Sequence, residues 1–267
     1  MIKLVISDMD GTLLRDDKYL NPEIFEVIHR MHRQGVVFVA ASGRQYQSMR
    51  RRFAPVADQI YFVSDNGCRI LYRGEELFYR PIETAVAQGI LEQLRTEYPH
   101  CSAMLSSRKR AYTNSHRQEE YLSSGGFRYD IEYREDLRTV DDPEIVKISF
   151  VEPEDAIATM NEMRRRYGKE AAVTFSGFHC IDFMARDINK GTALAFLQAR
   201  LGIGRDETVA FGDNFNDLEM MAEAGTSYAM SHSPVGVRAA ATRVLGSNNN
   251  DAALREMARL FPGRAKR

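Results

Sequence analysis

The chain holds 267 residues, 36 of them basic and 37 acidic, for a net charge of -1. That length allows one large α/β domain or a core with a smaller companion, and the balanced charge supplies no global field to attract nucleic acid or an anionic membrane, so neither is expected as a partner. The three cysteines, Cys68, Cys101 and Cys180, lack the spacing of a disulfide framework or a zinc site and fit a reducing, cytoplasmic location.

Leu4-Val5-Ile6 reads as a short buried strand, too brief for the apolar region of a signal sequence, and no later segment has the length of a membrane span. Asn21-Pro22-Glu23 then supplies a cap, a proline at the first helical position and an acidic first turn. Apolar Ile24, Val27, Ile28 and Met31 follow at helical spacing, with Gly35 as the stop. Val36 to Ala40 is a continuous apolar run suited to a parallel sheet. The same grammar returns late in the chain, with a helix over Lys190 to Leu201, a strand over Thr208 to Phe211, a helix over Asp217 to Ala224 and a strand over Thr226 to Met230. Asn248-Asn249-Asn250 reads as a loop before a final helix.

Between these α/β blocks the pattern changes. Short strands are expected at Ile60 to Val63, Arg69 to Tyr72 and Leu77 to Tyr79, with turns at Asn66-Gly67 and Arg73-Gly74. The stretch 84–186 then mixes helices with alternating strands, clearest at Ile145 to Val151 and His179 to Met184. It reads as an inserted α+β unit, leaving 1–83 and 187–267 to form the α/β core. The runs Arg50-Arg51-Arg52 and Arg164-Arg165-Arg166 read as solvated helix faces.

Open α/β sheets gather ligands beyond the carboxyl ends of their strands. The expected strands deliver Asp8-Met9-Asp10-Gly11-Thr12, Ser42-Gly43-Arg44 and Gly212-Asp213 with Asn216 and Asp217 to that edge, and Lys190 starts a helix entering the same core. Carboxylates packed this closely raise one another's pKa unless a cation neutralises them. Because every candidate ligand is an oxygen, the expected cation is Mg2+. Ser42, the backbone N–H groups after it and the Lys190 ammonium suit a phosphate. Each signal alone is ordinary in a loop or helix cap; their joint placement at the ends of one sheet is not.

Four segments in order, "LVISDMDGTL", "FVAASGR", "INKGTAL" and "FGDNFNDLEMM", resemble the motifs of the haloacid dehalogenase superfamily, and the chain is similar to its Cof-type phosphatases with a type-IIB cap. "SDNGCRI", "YAM" and "VRAAATRV" match secondary landmarks of that branch. The resemblance implies a Rossmann-like core with a parallel sheet and an inserted α+β cap. It also implies Asp8 as nucleophile and Asp10 as general acid and base. Asp8, the Asp10 carbonyl and Asp213 would hold Mg2+; Met9, Ser42, Gly43, Lys190 and Asn216 would bind phosphate, and Asp217 would orient its neighbours or the metal waters. The implied activity is hydrolysis of a small phosphorylated metabolite, a sugar phosphate or similar, through an aspartyl-phosphate.

A phosphomutase would share that chemistry, and a non-catalytic phospholigand-binding regulator would share the fold. Retention of both Asp8 and Asp10 argues against the regulator. The sequence departs from the branch at Ser231-His232-Ser233, where Gly-Asn-Ala commonly follows "YAM", and at "NNNDAA". His232 reads as a loop residue, and the polar cap residues Asn114, His116, His179 and Asp182 read as solvated or internally paired. The oligomeric state and the identity of the substrate are left open by the sequence.

Overall fold

The computed structural model describes residues 1–263 except 125–126, 142–143 and 177–178; the last four residues of the expected core segment, 264–267, lie outside the described residues. The first part of the chain forms β1 (Leu4–Asp8), α1 (Glu23–Arg33), β2 (Val37–Ala41), α2 (Tyr46–Arg52), β3 (Tyr61–Ser64), β4 (Arg69–Tyr72) and β5 (Glu75–Tyr79). The middle forms α3 (Thr84–Glu97), β6 (Ser102–Ser107), β7 (Ala111–Thr113), α4 (His116–Ser123), β8 (Ile131–Tyr133), β9 (Ile145–Val151), α5 (Ala156–Tyr167), β10 (Ala171–Phe175) and β11 (Cys180–Ala185). The chain then returns with α6 (Lys190–Leu201), β12 (Thr208–Gly212), α7 (Leu218–Glu223), β13 (Thr226–Ala229), α8 (Val235–Ala240), β14 (Arg243–Val244) and α9 (Ala252–Leu260). Among the described residues, no helix is long and apolar enough to cross a membrane.

The core sheet runs in the order β14-β13-β12-β1-β2-β3-β4-β5, parallel from β14 to β3 and antiparallel across the β3-β4-β5 meander. Its strands are apolar on both faces because both faces are covered. Val5, Phe38 and Phe211 pack with the Ile24, Val27, Ile28 and Met31 stripe of α1 and with Leu254 and Met257 of α9. Leu4, Ile6 and Val39 pack on the opposite side against Leu194 and Leu197 of α6 and Met220 and Met221 of α7. A truncation such as Ile6→Ala would cost about 2–5 kcal/mol through lost burial and the cavity left behind. Asn21 does its expected work at the start of α1, its Oδ1 accepting from Glu23 N at 3.0 Å.

The chain turns away from β1 to β2 on one side and reaches β12 on the other, so the carboxyl ends of three adjacent parallel strands meet at a point where the strand order reverses. Register fixes the alignment: Asp8 lies beside Ala41, and Ser7 beside Phe211.

The inserted cap is a second sheet in the order β10-β11-β9-β6-β7-β8. Successive side chains of its central strands point to opposite faces, and both faces are buried. Ala103, Leu105, Ile148, Phe150, Ile181 and Phe183 pack with α3 and α5. The other face carries Met104, Lys147, Ser149 and Asp182 and looks toward the core. The arginine runs close α2 and α5 as expected, but they are tied rather than only solvated. Arg52 donates to the Lys18 carbonyl at 2.7 Å and Arg164 to the Val173 carbonyl at 2.8 Å.

Candidate active site

The loop after β1 turns sharply because Gly11 adopts φ +83, and a Cβ there would lie 2.4 Å from Asp213 Oδ2. The Met9 carbonyl secures the turn by accepting from the N–H groups of Leu13 at 3.0 Å and Leu14 at 2.7 Å. Thr12 Oγ1 reaches across to donate to Asp213 Oδ1 at 2.9 Å. The end of β1 and the end of β12 are thereby joined through the side chains the sequence singled out.

Lys190 enters from the first turn of α6. Asn189 caps that helix, its Oδ1 accepting from Thr192 N at 2.8 Å while Thr192 Oγ1 accepts from Asn189 N at 3.1 Å. Gly67 lets the β3–β4 turn press against this helix start, since a Cβ there would sit 2.3 Å from the Asn189 carbonyl oxygen. So placed, Lys190 is fully buried and donates to Asp8 Oδ1 at 2.5 Å and to Asp217 Oδ1 at 2.6 Å.

Asp217 is committed to its surroundings. Its Oδ2 accepts from the N–H groups of Asp213 at 2.9 Å and Asn214 at 3.0 Å, so it shapes the "GDNFND" turn as well as holding Lys190. Oxygens of Asp8, Asp213 and Asp217 lie within 4.8 Å of one another, and Asp8 Oδ2 is buried without a hydrogen-bond partner among the described residues. Three carboxylates face one ammonium. Burial raises the Asp8 pKa; Lys190 opposes the shift, the Asp217 and Asp213 charges add to it, and the net result is well above the usual carboxylate range. Asp213 is likewise raised by burial against the opposing hydrogen bond from His232.

Asp10 points away from this cluster. Its carboxylate is held by Arg44 and by Lys18, whose Nζ donates to Oδ1 at 3.0 Å. Ser42 is buried at the end of β2, its Oγ accepting from Arg44 N at 3.2 Å. Gly43 follows it, with its carbonyl accepting from Lys147 Nζ of the cap at 2.6 Å. Asn216 Nδ2 donates to Asn66 Oδ1 at 3.0 Å. The Met9 side chain, by contrast, is buried in the core. A cavity of about 570 Å³ opens over these groups, floored by Asp8, Asp10, Ser42, Asp213 and Asn216 and roofed by the cap.

Besides Lys18, sequence reasoning missed three participants. His232, read as a loop residue, does lie in a turn, yet its Nε2 is 3.6 Å from Asp213 Oδ2, and that contact raises its pKa above the ordinary histidine value. Lys147 carried no motif but reaches the core. Asn66, read as part of a turn and of a landmark segment, is buried between Asn216 and Asp182. Of the polar cap residues, Asp182 is internally paired and also borders the cavity, Asn114 accepts from Ala103 N at 2.8 Å, His116 stacks on Tyr133 and His179 is exposed.

The sequence profile of the haloacid dehalogenase-like hydrolases matches residues 5–257. The chain is 31% identical over 256 residues to the 5-amino-6-(5-phospho-D-ribitylamino)uracil phosphatase YbjI of Escherichia coli, covering 95% of this chain and 94% of that one. It is 32% identical over 238 residues to an HMP-PP phosphatase of Cronobacter sakazakii, covering 87% and 85%. A solved structure from Streptococcus mutans superposes with a TM-score of 0.91 at 27% identity, covering 98% of this chain and 100% of that one.

Proposed function

The chain belongs to the haloacid dehalogenase-like hydrolases as a phosphatase of small phosphorylated metabolites, and from that premise we propose that it works through an aspartyl-phosphate formed on Asp8. The observation that carries this reading is the state of the Asp8 side chain. One oxygen is held by Lys190, and the other is buried, unpartnered and at the floor of the cavity. A buried carboxylate oxygen without a partner is costly, and an arriving phosphorus atom or a cation relieves that cost.

The residues fit Mg2+. Three carboxylates against one ammonium leave a surplus of negative charge, and the donor set is all oxygen. By the family resemblance Asp8, the Asp10 carbonyl and Asp213 would hold the ion, while Asp217 holds Lys190 and the N–H groups of Asp213 and Asn214. When bound, Mg2+ neutralises the clustered carboxylates and the charge on the phosphoryl oxygens.

The chain's own residues do the rest. Asp8 attacks phosphorus, while Lys190 offsets the charge that gathers there. Ser42, the Gly43 and Met9 backbone and the Asn216 amide hold the phosphoryl oxygens, and Asp217 keeps Lys190 and the turn in place. Asp10 protonates the leaving oxygen and then takes a proton from the water that attacks the aspartyl-phosphate. The core, 1–83 and 187–267, supplies this chemistry, and the cap, 84–186, reads the organic part. Relatives named for two different phosphorylated metabolites accord with that division. The cap wall carries Met104, Tyr121, Leu122, Phe127 and Tyr129 beside polar groups, a surface suited to a sugar phosphate or a similarly sized ester. Three free cysteines, Cys68, Cys101 and Cys180, accord with a reducing, cytoplasmic setting.

Hydrolysis of p-nitrophenyl phosphate after dialysis against EDTA tests the reading. Turnover should vanish and return with Mg2+; full activity in the chelated protein would remove the metal from the account.

A further inference from the structure

Two cap residues that line the cavity take hold of the groups assigned above to phosphate. Lys147 Nζ donates to the Gly43 carbonyl at 2.6 Å, holding one arm of the phosphate site. Asp182 acts on the other arm through a relay. Its Oδ2 accepts from Asn66 Nδ2 at 2.7 Å, and Asn66 Oδ1 accepts from Asn216 Nδ2 at 3.0 Å. Ser149 Oγ donates to Asp182 Oδ1 at 2.6 Å, and Lys147 Nζ lies 3.7 Å from Asp182 Oδ2. Asp182 and Asn66 are 1% exposed, Ser149 is 2% and Lys147 is 4%.

The chemistry of the relay gives it a direction. A carboxylate only accepts, so Asp182 requires the Asn66 amide to present its nitrogen to the cap and its oxygen to the core. That oxygen in turn requires the Asn216 amide to present its nitrogen. Asn216 has two N–H bonds on that nitrogen; one is spent on Asn66, and the other is left with a fixed orientation for an anion in the cavity. Asn66 holds the backbone shape this needs, with φ 58 in the left-handed region that asparagine tolerates better than most residues.

We propose that the cap assembles the phosphate site as well as covering it, with Asp182 and Asn66 as positioning residues that set the donor face of Asn216, while Lys147 steadies the Gly43 arm. This rests on the reading of Asn216 as a phosphate ligand. Affinity for the bare phosphoryl group then depends on cap residues that never touch it, even for substrates too small to reach the cap wall.

The test uses inorganic phosphate as a competitive inhibitor of p-nitrophenyl phosphate hydrolysis by the full chain with Mg2+. Asn66→Gly removes both amide contacts, and glycine adopts the same φ freely; Asp182→Ala removes the anchor. Each should raise the phosphate Ki by about tenfold, the effect of losing one well-aligned charged hydrogen bond. In an Asn216→Ala background neither change should raise Ki further by more than about twofold, because a double-mutant cycle registers a shared route as non-additivity. A structural loosening of the cap would instead multiply with Asn216→Ala. Melting curves identify any variant that fails to fold, and if Asp182→Ala fails, Asn66→Gly decides the matter. A wild-type protein that neither turns over nor is inhibited by phosphate overturns the phosphatase reading and this inference with it. Normal wild-type behaviour with an unchanged Ki in Asn66→Gly, or with multiplying effects, overturns this inference alone.

Discussion

The guanidinium of Arg44 holds the carboxylate of Asp10 by both oxygens, with Nε donating to Oδ2 at 2.6 Å and an NH2 donating to Oδ1 at 2.7 Å. The Phe127 ring of the cap lies 4.3 Å from the guanidinium carbon, so the fork is backed by a cation–π contact. Burial would raise the Asp10 pKa, but the hydrogen bonds and charge of Arg44, with Lys18, more than offset it and bring it down to about 2. Asp10 is therefore a carboxylate in this arrangement, the form a general base needs; donating a proton to a leaving oxygen requires the Arg44 contact to loosen.

Arg44→Lys should show how far catalysis depends on the direction in which the fork holds Asp10. Lysine keeps the charge and loses the planar fork, so Asp10 is no longer fixed in direction. Misplacement of a catalytic group by about 1 Å can cost about 10²-fold in rate. The loss in kcat should be larger for an alkyl phosphate, whose leaving oxygen needs a proton, than for p-nitrophenyl phosphate. Steady-state kinetics on the two substrates decide it, and an equal loss on both would place the work of Arg44 elsewhere.

Gly11→Ala should act on the metal. The new Cβ would fall 2.4 Å from Asp213 Oδ2, at a φ of +83 that alanine avoids at a cost of about 1–2 kcal/mol. Asp213 must move or the turn must open, and either change separates it from Asp8. The Mg2+ concentration giving half-maximal activity should rise by at least about tenfold, together with a smaller rise in melting temperature on adding Mg2+. A Mg2+ titration identical to wild type would remove Asp213 from the ligand set.

Away from the site, Asp251 ties the loop after β1 to α9. It accepts from Arg15 Nε at 3.0 Å and NH2 at 2.6 Å and from Asn21 Nδ2 at 2.9 Å. The Arg15 hydrogen bonds, opposed by burial and helped by Asn21, lower its pKa from 3.8. A carboxylate depressed in the folded state stabilises above its unfolded pKa, and that contribution disappears as pH falls through the folded value. Asp251→Asn should therefore lower the melting temperature by a few degrees at pH 7, and the gap from wild type should close as pH falls below the ordinary aspartate range and through the lowered folded value. A constant gap across that range would show that charge is not what Asp251 contributes.

Most of the core was legible because its signals are local. The α1 stripe, the apolar runs of β1, β2 and β12 and the four motif segments each declare themselves within a dozen residues, and β2, β11 and α7 differ from expectation by only about one residue at their ends. The relay through Asp182, Asn66 and Asn216 was not, since its links join positions 116 and 150 residues apart in sequence. A trace of it existed. In "IVKISFV", Lys147 and Ser149 alternate with Val146, Ile148 and Phe150, which marks a strand face that is polar and yet buried. Such a face requires partners from another element, and only the folded chain names them. His232 escaped for a related reason: its turn follows β13, the strand beside β12, and the adjacency of those strands is tertiary.

The measurement that bears most directly on the account is rapid-quench release of nitrophenol from p-nitrophenyl phosphate by Asp8→Asn and Asp10→Asn, followed by the mass of the intact proteins. Nitrophenolate leaves with little need of a proton, so Asp10→Asn should still transfer the phosphoryl group to Asp8. It should release about one equivalent of nitrophenol in a burst and then stall as a phosphoprotein, since general base assistance to the water is typically worth about 10² to 10⁴ in rate. Asp8→Asn should show neither burst nor added mass. Turnover by Asp8→Asn, with no burst and no phosphoprotein in Asp10→Asn, would contradict the assignment of nucleophile and acid.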